Sequence, residues 1–468
     1  MDNPKLRINL EQRSVIVDGG KEMGWFQIDL QMEGEAANMR VIEEIVSVEN
    51  INEAIKKVKS NKGVAGVDKM TVYEIEEYFS KYREEIVQSI LEKKYKPQPV
   101  KRVYIPKRDG KKRPLGIPTV VDRVIQQAIA QVITRIYDSH FSENSYGFRP
   151  RRSAHMAINK TLEYLNDGNE WCIDIDIEKY FDTVNHDKLI SILRERINDS
   201  VTLHLIRKFL QAGIMEEGLV SPSILGVPQG GPLSPILSNI YLDKLDKELE
   251  ERGLSFARYA DDCNIYVKSE KSANRVMKSV TSWLERKLFL KVNATKSKVV
   301  RPTKSQFLGI TYYKNSDEWK CKPMNDRKMK LYDKCREVLK RSKAVARSNA
   351  VTFKKINEIV RGWINYFKIG NMKKFIDKFG QWLRHKIRVI IIKQWKKPKK
   401  IYRSLQLLNK KMPYHFTEEQ IYSVANSRLG WYKRANGNVV NFLLNPQILA
   451  IKKGKRPGLV NPLEYYLR

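Results

Sequence analysis

The sequence predicts an α+β protein that contains more than one domain. Its 468 residues exceed the length that one hydrophobic core ordinarily organises, and the hydrophobic fraction of 42% is that of a globular chain. Some segments carry apolar residues at helical spacing, whereas others alternate apolar and polar residues around turn signals. Together these patterns indicate helices combined with antiparallel hairpins.

The first hundred residues predict a leader, helices and a hairpin. Residues 1–38 show no clear period, so we predict a poorly ordered leader. Within residues 40–95 an apolar stripe at helical spacing predicts a helix, and this stripe consists of Ile51, Ala54, Ile55 and Val58. The segment RVYIPKRDGKKRPLGIP then alternates apolar and polar residues around Asp109-Gly110, which is typical of a β-hairpin.

The segment EWCIDIDIEKYFD predicts a strand with two different faces. One face carries the carboxylates of Asp174 and Asp176. The opposite face is apolar and consists of Ile173, Ile175 and Ile177. Further on, the loop GVPQGGPLSP leads into a helix for which Ser234 offers an N-cap and Pro235 a first helical residue.

The segment FARYADDCNIYVK places two adjacent carboxylates, Asp261 and Asp262, between short apolar runs. This pattern predicts two strands and a tight turn, with the aspartates at or beside its tip. Aspartate is also a favourable turn residue, so the segment alone leaves a purely structural role open. Grouping these carboxylates with Asp174 or Asp176 would be electrostatically costly, and a bound divalent cation removes that cost. Oxygen ligands suit Mg²⁺, and two such ions clamp the attacking and leaving oxygens of a phosphoryl transfer.

Positive charge is concentrated in the last third of the chain. The formal net charge is +34, and residues 321–468 alone contain 36 Lys and Arg against 8 Asp and Glu. Such an excess opposes compaction unless a polyanion binds, so nucleic acid is favoured as partner over an acidic protein or a lipid surface. The helical stripe Ile356 to Phe367 in this region favours a core position for its aromatic residues.

Targeting and cysteine patterns predict a cytoplasmic protein. No stretch approaches the roughly 20 apolar residues of a membrane helix, and no basic segment followed by an apolar one indicates a secretory signal. The four cysteines show no C-x-x-C pairing, so neither a zinc site nor a disulfide framework is predicted.

Six sequence blocks resemble the reverse transcriptases of bacterial group II introns, proteins that are also maturases. In chain order the blocks are SYGFRPRRSAHMAI, DIDIEKYFDTVNHDKL, GVPQGGPLSPILSNIYL, YADD, LKVNATKSKVV and FLGI. The segment RGWINYFKIGNMKKF resembles the thumb, or maturase, segment of the same family. The resemblance covers about residues 40–468. It implies a right-hand polymerase with fingers and a palm in residues 39–315, a helical thumb in 316–397, and a basic helical DNA- or RNA-binding module in 398–468.

The resemblance also implies a set of catalytic and metal-binding residues. In the family's first palm motif the catalytic aspartate lies five residues before an aromatic residue that blocks the ribose 2′ position. Asp176 and Phe181 have this spacing, whereas Asp174 does not and is not expected to bind metal directly. The implied metal ligands are the carboxylates of Asp176, Asp261 and Asp262 and the backbone oxygen of Ile177.

Further residues match positions that bind nucleotide or nucleic acid in the family. Lys107 and Arg113 match the fingertip residues that grip the incoming triphosphate, although surface charge on a hairpin is the alternative. Gln229 matches the loop under nucleotide and template, and Lys296 a lysine near the leaving pyrophosphate. The lysines expected to contact RNA or DNA are Lys396, Lys397, Lys399, Lys400, Lys452 and Lys453.

The function implied is RNA-directed DNA polymerisation with Mg²⁺ and deoxynucleoside triphosphates, combined with intron RNA binding that promotes splicing. The expected partners are group II intron RNA, an RNA template with a DNA or RNA primer, and target DNA. The sequence ends without clustered cysteines, which resembles the endonuclease-lacking class. Two alternatives stay open: a domesticated defence or CRISPR-associated reverse transcriptase, and an RNA-binding splicing factor without polymerase activity.

Overall fold

A computed structural model describes most of the chain from residue 41 onwards. It describes residues 41–106, 110, 112–216, 218–452, 454 and 457–468, and the backbone of three short segments before them. Those segments are the antiparallel strands β1 (Arg7–Asn9), β2 (Ser14–Val17) and β3 (Lys21–Met23). The rest of the predicted leader lies outside the described residues, and its poor order stays a prediction.

The structure combines helices with strands, as the sequence predicted. The remaining strands are β4 (Val100–Pro106), β5 (Lys112–Ile117), β6 (Trp171–Ile175), β7 (Ile214–Glu216), β8 (Leu219–Ser221), β9 (Ser255–Tyr259), β10 (Asp262–Val267), β11 (Lys298–Val300), β12 (Ile310–Asn315) and β13 (Glu318–Pro323). The helices that precede β9 are α1 (Val41–Val46), α2 (Val48–Ser60), α3 (Ile75–Leu91), α4 (Val120–Asp138), α5 (Ala154–Asn166), α6 (Tyr180–Thr183), α7 (His186–Arg194), α8 (Ser200–Leu210) and α9 (Ser234–Glu251). The later helices are α10 (Glu270–Lys287), α11 (Asn325–Val338), α12 (Arg341–Ala344), α13 (Asn349–Phe367), α14 (Lys373–Trp395), α15 (Pro398–Asn409), α16 (Glu418–Asn426), α17 (Trp431–Arg434), α18 (Asn438–Leu443), α19 (Pro446–Ala450) and α20 (Pro462–Leu467).

Two four-stranded sheets carry the predicted hairpins. One has the strand order β5-β4-β7-β8, and its β4–β5 pair is the antiparallel hairpin predicted around Asp109-Gly110. The other has the order β11-β6-β10-β9. Glu170 at the start of β6 donates its N–H to the carbonyl of Val267 at the end of β10, 3.1 Å away. The two strands are therefore antiparallel, and the end of β6 lies beside the start of β10.

The chain forms two compact units, of which the first consists of residues 1–153, 175–265 and 274–298. Its helix α4 is buried along most of its length, and α2 packs against it. The predicted stripe of α2 is buried, which confirms the sequence interpretation. The buried Asn50 ties the two helices together, because its amide donates to the carbonyl of Ala128 at 3.1 Å and accepts from Gln131 at 2.6 Å.

The helix after the Gly/Pro loop begins one residue earlier than predicted. Leu233 is the N-cap of α9, and Ser234 is already helical. The hydroxyl of Ser234 donates to the carbonyl of Pro228 at 2.6 Å instead of capping the helix. This bond fastens the Gly/Pro loop to the first turn of α9.

The second unit consists of residues 154–174, 266–273 and 299–468. An aromatic cluster forms its centre, in which Tyr332 contacts Phe379 and Trp382 with ring centroids 5.2 and 4.7 Å apart. Trp363 and Phe367 also pack on each other with ring centroids 4.6 Å apart. Phe367 is buried, as predicted, whereas Trp363 is half-buried. The final helix α20 packs on α13 and α14. No helix in the described part of the chain has the length and apolar character that crossing a bilayer requires.

Candidate active site

The predicted hairpin between residues 255 and 267 is present, and a two-residue loop connects its strands. Strands β9 and β10 are joined by Ala260 and Asp261 alone, and Asp262 is the first residue of β10. Ala260 adopts a φ of 58°, a left-handed conformation that glycine ordinarily supplies in two-residue hairpin loops. A strained backbone therefore holds the two aspartates, of which Asp261 is exposed and Asp262 is half-buried.

A buried arginine holds this turn through a hydrogen bond. Arg258 is fully buried, and its guanidinium donates two bonds to Asp246 of α9, at 2.7 and 2.5 Å. A third bond of 2.8 Å runs to the carbonyl of Ala260, the strained residue itself. Burial alone would lower the pKa of Arg258, but the Asp246 carboxylate reverses this effect, so the pKa is raised and the guanidinium stays charged.

A second segment runs alongside β9 and braces the same turn. Ser145 and Arg258 form a parallel β-bridge, and the N–H of Tyr146 donates to the carbonyl of Arg258 at 2.9 Å. Gly147 then passes so close to the turn that a Cβ there would lie 2.4 Å from the nitrogen of Ala260. Glycine is required at this position because any side chain would displace the turn.

Asp176 follows the end of β6, which the sheet order places beside the start of β10. Its N–H donates to the hydroxyl of Ser297 at 3.0 Å, and its carbonyl accepts the N–H of Asn293 at 2.8 Å. These bonds leave the carboxylate 41% exposed, with the ammonium of Lys296 at 3.3 Å. Lys296, predicted to lie near leaving pyrophosphate, is thus an ion-pair partner of Asp176.

The backbone of Ile177 is held by a bridge to the segment around residue 292. It pairs with Val292 in an antiparallel bridge whose hydrogen bonds come from the residues on either side. In such a pair the residue's own carbonyl points away from the neighbouring strand. The Ile177 oxygen is therefore directed to the β10 side, while its side chain is buried with 6% exposure.

The donor set suits a hard divalent cation, although the three carboxylates are not drawn together. No group of three or more His, Cys, Asp or Glu side chains close enough to hold a metal occurs among the residues that the structure describes. Like charges disfavour such a cluster, and the Asp176 carboxylate faces Lys296. Carboxylate and backbone oxygens at the ends of two neighbouring strands nevertheless fit an ion that prefers oxygen ligands.

Phe181 and Gln229 line one cavity, so the structure brings these two predicted residues together. The cavity has a volume of about 370 Å³ and is bounded by strand β4, by Phe181-Asp182 and by residues 222–229. Gly226 adopts a φ of 93°, and a Cβ there would lie 2.7 Å from the carbonyl of Phe181. The loop therefore touches the backbone beside the ring.

A buried histidine fixes the loop against Phe181. Nε2 of His186 lies 2.7 Å from the carbonyl of Gly226, to which it donates, and the N–H of Val227 donates to the carbonyl of Phe181 at 2.6 Å. Burial lowers the pKa of His186, which favours the neutral ring. The Gln229 carbonyl also accepts the N–H of Gly116 from β5 at 2.7 Å. Backbone hydrogen bonds thus hold the loop that lines the cavity.

Some predicted residues lie beyond what the structure describes. Lys107 and Lys453 are outside the described residues, and of Arg113 only the backbone in β5 is described. The lysines of the 396–400 segment are all exposed at the junction of α14 and α15. Lys452 is exposed as well and lines a different cavity, next to α13. Asp174 accepts a bond from Ser305 at 2.8 Å, within the second unit.

Sequence reasoning did not identify the residues that hold the turn. Arg258, Asp246 and Gly147 form the brace around Ala260, and none of them was predicted to have a role. One signal was present, because an arginine in the middle of an apolar strand must find a buried partner. Nothing in the sequence pointed to Asp246 as that partner, since it lies on a helix 12 residues away.

Two protein families match consecutive parts of the chain. The family described as "Reverse transcriptase (RNA-dependent DNA polymerase)" matches residues 105–312, which include the hairpin, Asp176, Phe181 and Gln229. The family described as "Group II intron, maturase-specific domain" matches residues 328–407, within the basic part.

Curated relatives cover different shares of the chain. "Protein YkfC" of Escherichia coli strain K12 is 35% identical over 300 residues, which are 56% of this chain and 79% of that protein. "Group II intron-encoded protein LtrA" of Lactococcus lactis subsp. cremoris is 41% identical over 207 residues, 44% of this chain. The match spans only 34% of LtrA. Among solved structures, the "Partial Cas6-RT-Cas1--Cas2 complex" matches at 25% identity with a TM-score of 0.35, over 53% of this chain and 43% of that chain.

Proposed function

The chain belongs to the group II intron-encoded reverse transcriptase and maturase family, a family of RNA-directed DNA polymerases with a right-hand fold. From this premise we propose that it copies RNA into DNA at the site formed by Asp176, Asp261 and Asp262. The observation that carries the proposal is the two-residue hairpin with its strained Ala260, braced from two sides so that adjacent carboxylates lie beside the end of β6.

Each proposed ligand has a distinct source of rigidity. Asp261 and Asp262 follow the residue to which Arg258 is bonded, and Asp176 is fixed through its backbone by Ser297 and Asn293. Two Mg²⁺ ions held by these carboxylates and the Ile177 oxygen would activate the primer 3′-hydroxyl and neutralise the leaving pyrophosphate. Positioning of this kind supplies most of the catalysis in phosphoryl transfer, since no nucleophilic side chain is needed.

The cavity beside Phe181 is our proposed place for the incoming deoxynucleotide. The Phe181 ring would press on C2′ and exclude a 2′-hydroxyl, and Gln229 would lie under the nucleotide. Lys107 and Arg113 would grip the triphosphate. Lys296 already forms an ion pair with Asp176, so it would move between that carboxylate and the departing pyrophosphate.

The basic part of the chain is proposed to bind intron RNA and help it fold for splicing. The exposed lysines between residues 396 and 400 lie at the end of the residues that match the maturase-specific family, and Lys452 adds to the same charge excess. Lysine contacts to phosphates release counterions, which makes binding strong and salt-dependent. Lys453 completes the proposed set. We also propose the boundaries 39–315, 316–397 and 398–468 for fingers and palm, thumb and basic module.

The test is primer extension on an RNA template with Mg²⁺ and deoxynucleoside triphosphates. Asp261→Asn should reduce extension by at least 100-fold, roughly the loss expected when one group that stabilises transition-state charge is removed. RNA binding should not change, because the substitution lies far in sequence from the basic part. Asp317→Asn, an exposed aspartate in the turn between β12 and β13, is the matched control and should extend normally. Extension by Asp261→Asn at a tenth of the wild-type rate or more would refute the assignment.

A further inference from the structure

Phe148 is an exposed aromatic residue in an unfavourable backbone conformation beside the active-site turn. We propose that Phe148 and Tyr259 form a two-ring surface on which the 3′-terminal nucleotide of the primer stacks, so that its hydroxyl reaches the carboxylates. The proposal rests on the proposed function. It adds a substrate contact from the SYGF segment, for which the motif itself assigned no role.

The positive φ of Phe148 costs free energy that burial of its ring does not offset. Its φ is 56° and its exposed fraction is 56%, so the residue neither fits the backbone nor buries its ring. Phe289 has a similar φ of 54° and is 59% exposed, but it ends helix α10. There the N–H of Leu290 donates to the carbonyl of Leu284, as in an ordinary left-handed helix cap. Phe148 follows no helix, and strain of this kind persists where function requires it.

The residues on both sides of Phe148 are firmly held. The carbonyl of Gly147 accepts the amide of Asn239 at 2.8 Å, and Gly147 is in contact with the turn at Ala260. Arg149 is buried with 8% exposure, and its guanidinium donates to the carboxylate of Asp138 at 2.7 Å and to the carbonyl of Ser142 at 2.7 Å. These clamps impose the backbone of Phe148 and direct its ring outward.

The ring lies against Tyr259, close in sequence to the proposed ligand Asp261. Its centroid is 6.2 Å from that of Tyr259, and the planes are tilted by 47°. Tyr259 precedes Asp261 by two residues, so their Cα atoms are at most about 7 Å apart. That is roughly the span of one nucleotide. A primer whose 3′-hydroxyl meets the carboxylates would therefore bring its last base against this pair of rings.

The chemistry of the surface favours a nucleotide as occupant. Every base has an aromatic face, and stacking on an aromatic side chain contributes about 1–3 kcal/mol per base. Arg151, three residues after Phe148, is exposed and supplies a positive charge for the backbone phosphate. The incoming nucleotide is assigned to the cavity at Phe181, which Phe148 does not line. We therefore assign the primer terminus, and not the incoming nucleotide, to the surface formed by Phe148 and Tyr259.

The experiment compares two primers on one RNA template in single-turnover extension. One primer ends in an ordinary nucleotide, and the other ends in an abasic residue that keeps its 3′-hydroxyl. Phe148→Ala should slow extension of the ordinary primer by roughly 5- to 150-fold, the range that corresponds to the stacking contribution. On the abasic primer, wild type and Phe148→Ala should extend equally, because neither can stack. Phe148→Tyr should behave as wild type, and the KM for deoxynucleotide should not change.

Two further variants separate stacking from folding. Phe148→Gly adopts a positive φ without strain, so a merely structural role predicts normal extension, whereas the proposal predicts a loss as large as in Phe148→Ala. Phe289→Ala removes an equally exposed ring at a helix end and should extend both primers normally. Equal extension of the ordinary primer by Phe148→Ala and wild type would overturn the proposal. So would a loss in Phe148→Ala that is equally large on both primers, or a change in Phe148→Ala that is confined to the KM for deoxynucleotide. Failure of the wild type to extend any primer would instead refute the proposed function.

Discussion

Removal of the Asp246 carboxylate should destabilise the active-site hairpin more than any surface substitution. Asp246 and Arg258 have side chains with 0% exposure, and two bonds of 2.7 and 2.5 Å join them. Asp246→Ala leaves a buried guanidinium with neutral partners only, among them Ser145 at 2.7 Å. Breaking such a pair by removing one partner costs about 3–5 kcal/mol.

Amide hydrogen exchange over residues 255–267 is the appropriate assay, because it reports the opening free energy of the hairpin itself. The free energy of opening should fall by about 3–5 kcal/mol in Asp246→Ala. Replacing both partners, as Asp246→Leu with Arg258→Met, should restore much of the stability, since no unpaired charge is then buried. Primer extension should stay low in this double variant, because Ala260 no longer receives its bond from Arg258.

Asp243→Asn is the matched control, one turn earlier on α9. Burial, and secondarily the charge of Asp246, raise the pKa of Asp243 to about 6. A carboxyl group whose folded pKa exceeds its unfolded value opposes folding when it is ionised, so Asp243→Asn should increase stability above about pH 6 and have no effect below about pH 4. A loss of less than 1 kcal/mol in Asp246→Ala, or an equal loss in Asp243→Asn, would refute the reasoning.

Substitutions at two other proposed sites have distinct expected effects. Phe181→Ala should increase incorporation of ribonucleotides relative to deoxynucleotides by roughly 10-fold or more, measured by competition in primer extension. The control Phe181→Tyr should not change this ratio. Unchanged discrimination in Phe181→Ala would make Phe181 a core residue only. Glutamine at the four lysines between residues 396 and 400 should weaken intron RNA binding and lower the slope of log K against log salt by roughly one unit for each phosphate that is no longer neutralised. Splicing at near-physiological salt should fall with it but persist in Asp261→Asn, and equal loss in both variants would contradict the separation of activities.

The sequence predicted the elements of the site better than the bonds between them. Alternation around Asp261 and Asp262 located the hairpin, and the apolar face of residues 173–177 located β6, because burial of one strand face leaves a regular pattern. The strain at Ala260 could not be predicted, since alanine in a turn gives no signal of its own. It depends on Arg258 and Gly147, which reach the turn through tertiary structure.

The helix after the Gly/Pro loop shows the same limit. Ser234 was predicted as N-cap from its position before Pro235, but its hydroxyl finds a better acceptor in the carbonyl of Pro228. Likewise, the resemblance to the family motif implied Asp176 rather than Asp174, yet only the structure shows that Lys296 lies 3.3 Å from the Asp176 carboxylate. Patterns along the sequence indicate which face of a strand or helix is buried, whereas the tertiary fold determines which residues form hydrogen bonds and ion pairs.

Asp176, Asp261 and Asp262 are proposed to hold two divalent cations together. Electron paramagnetic resonance of Mn²⁺, titrated into the protein with an RNA template, a chain-terminated primer and a deoxynucleotide, counts the ions bound at the site. The account predicts two Mn²⁺ for the wild type and for Asp317→Asn, and a loss of at least one for Asp176→Asn and for Asp261→Asn. Two tightly bound ions in either of those last variants would contradict it.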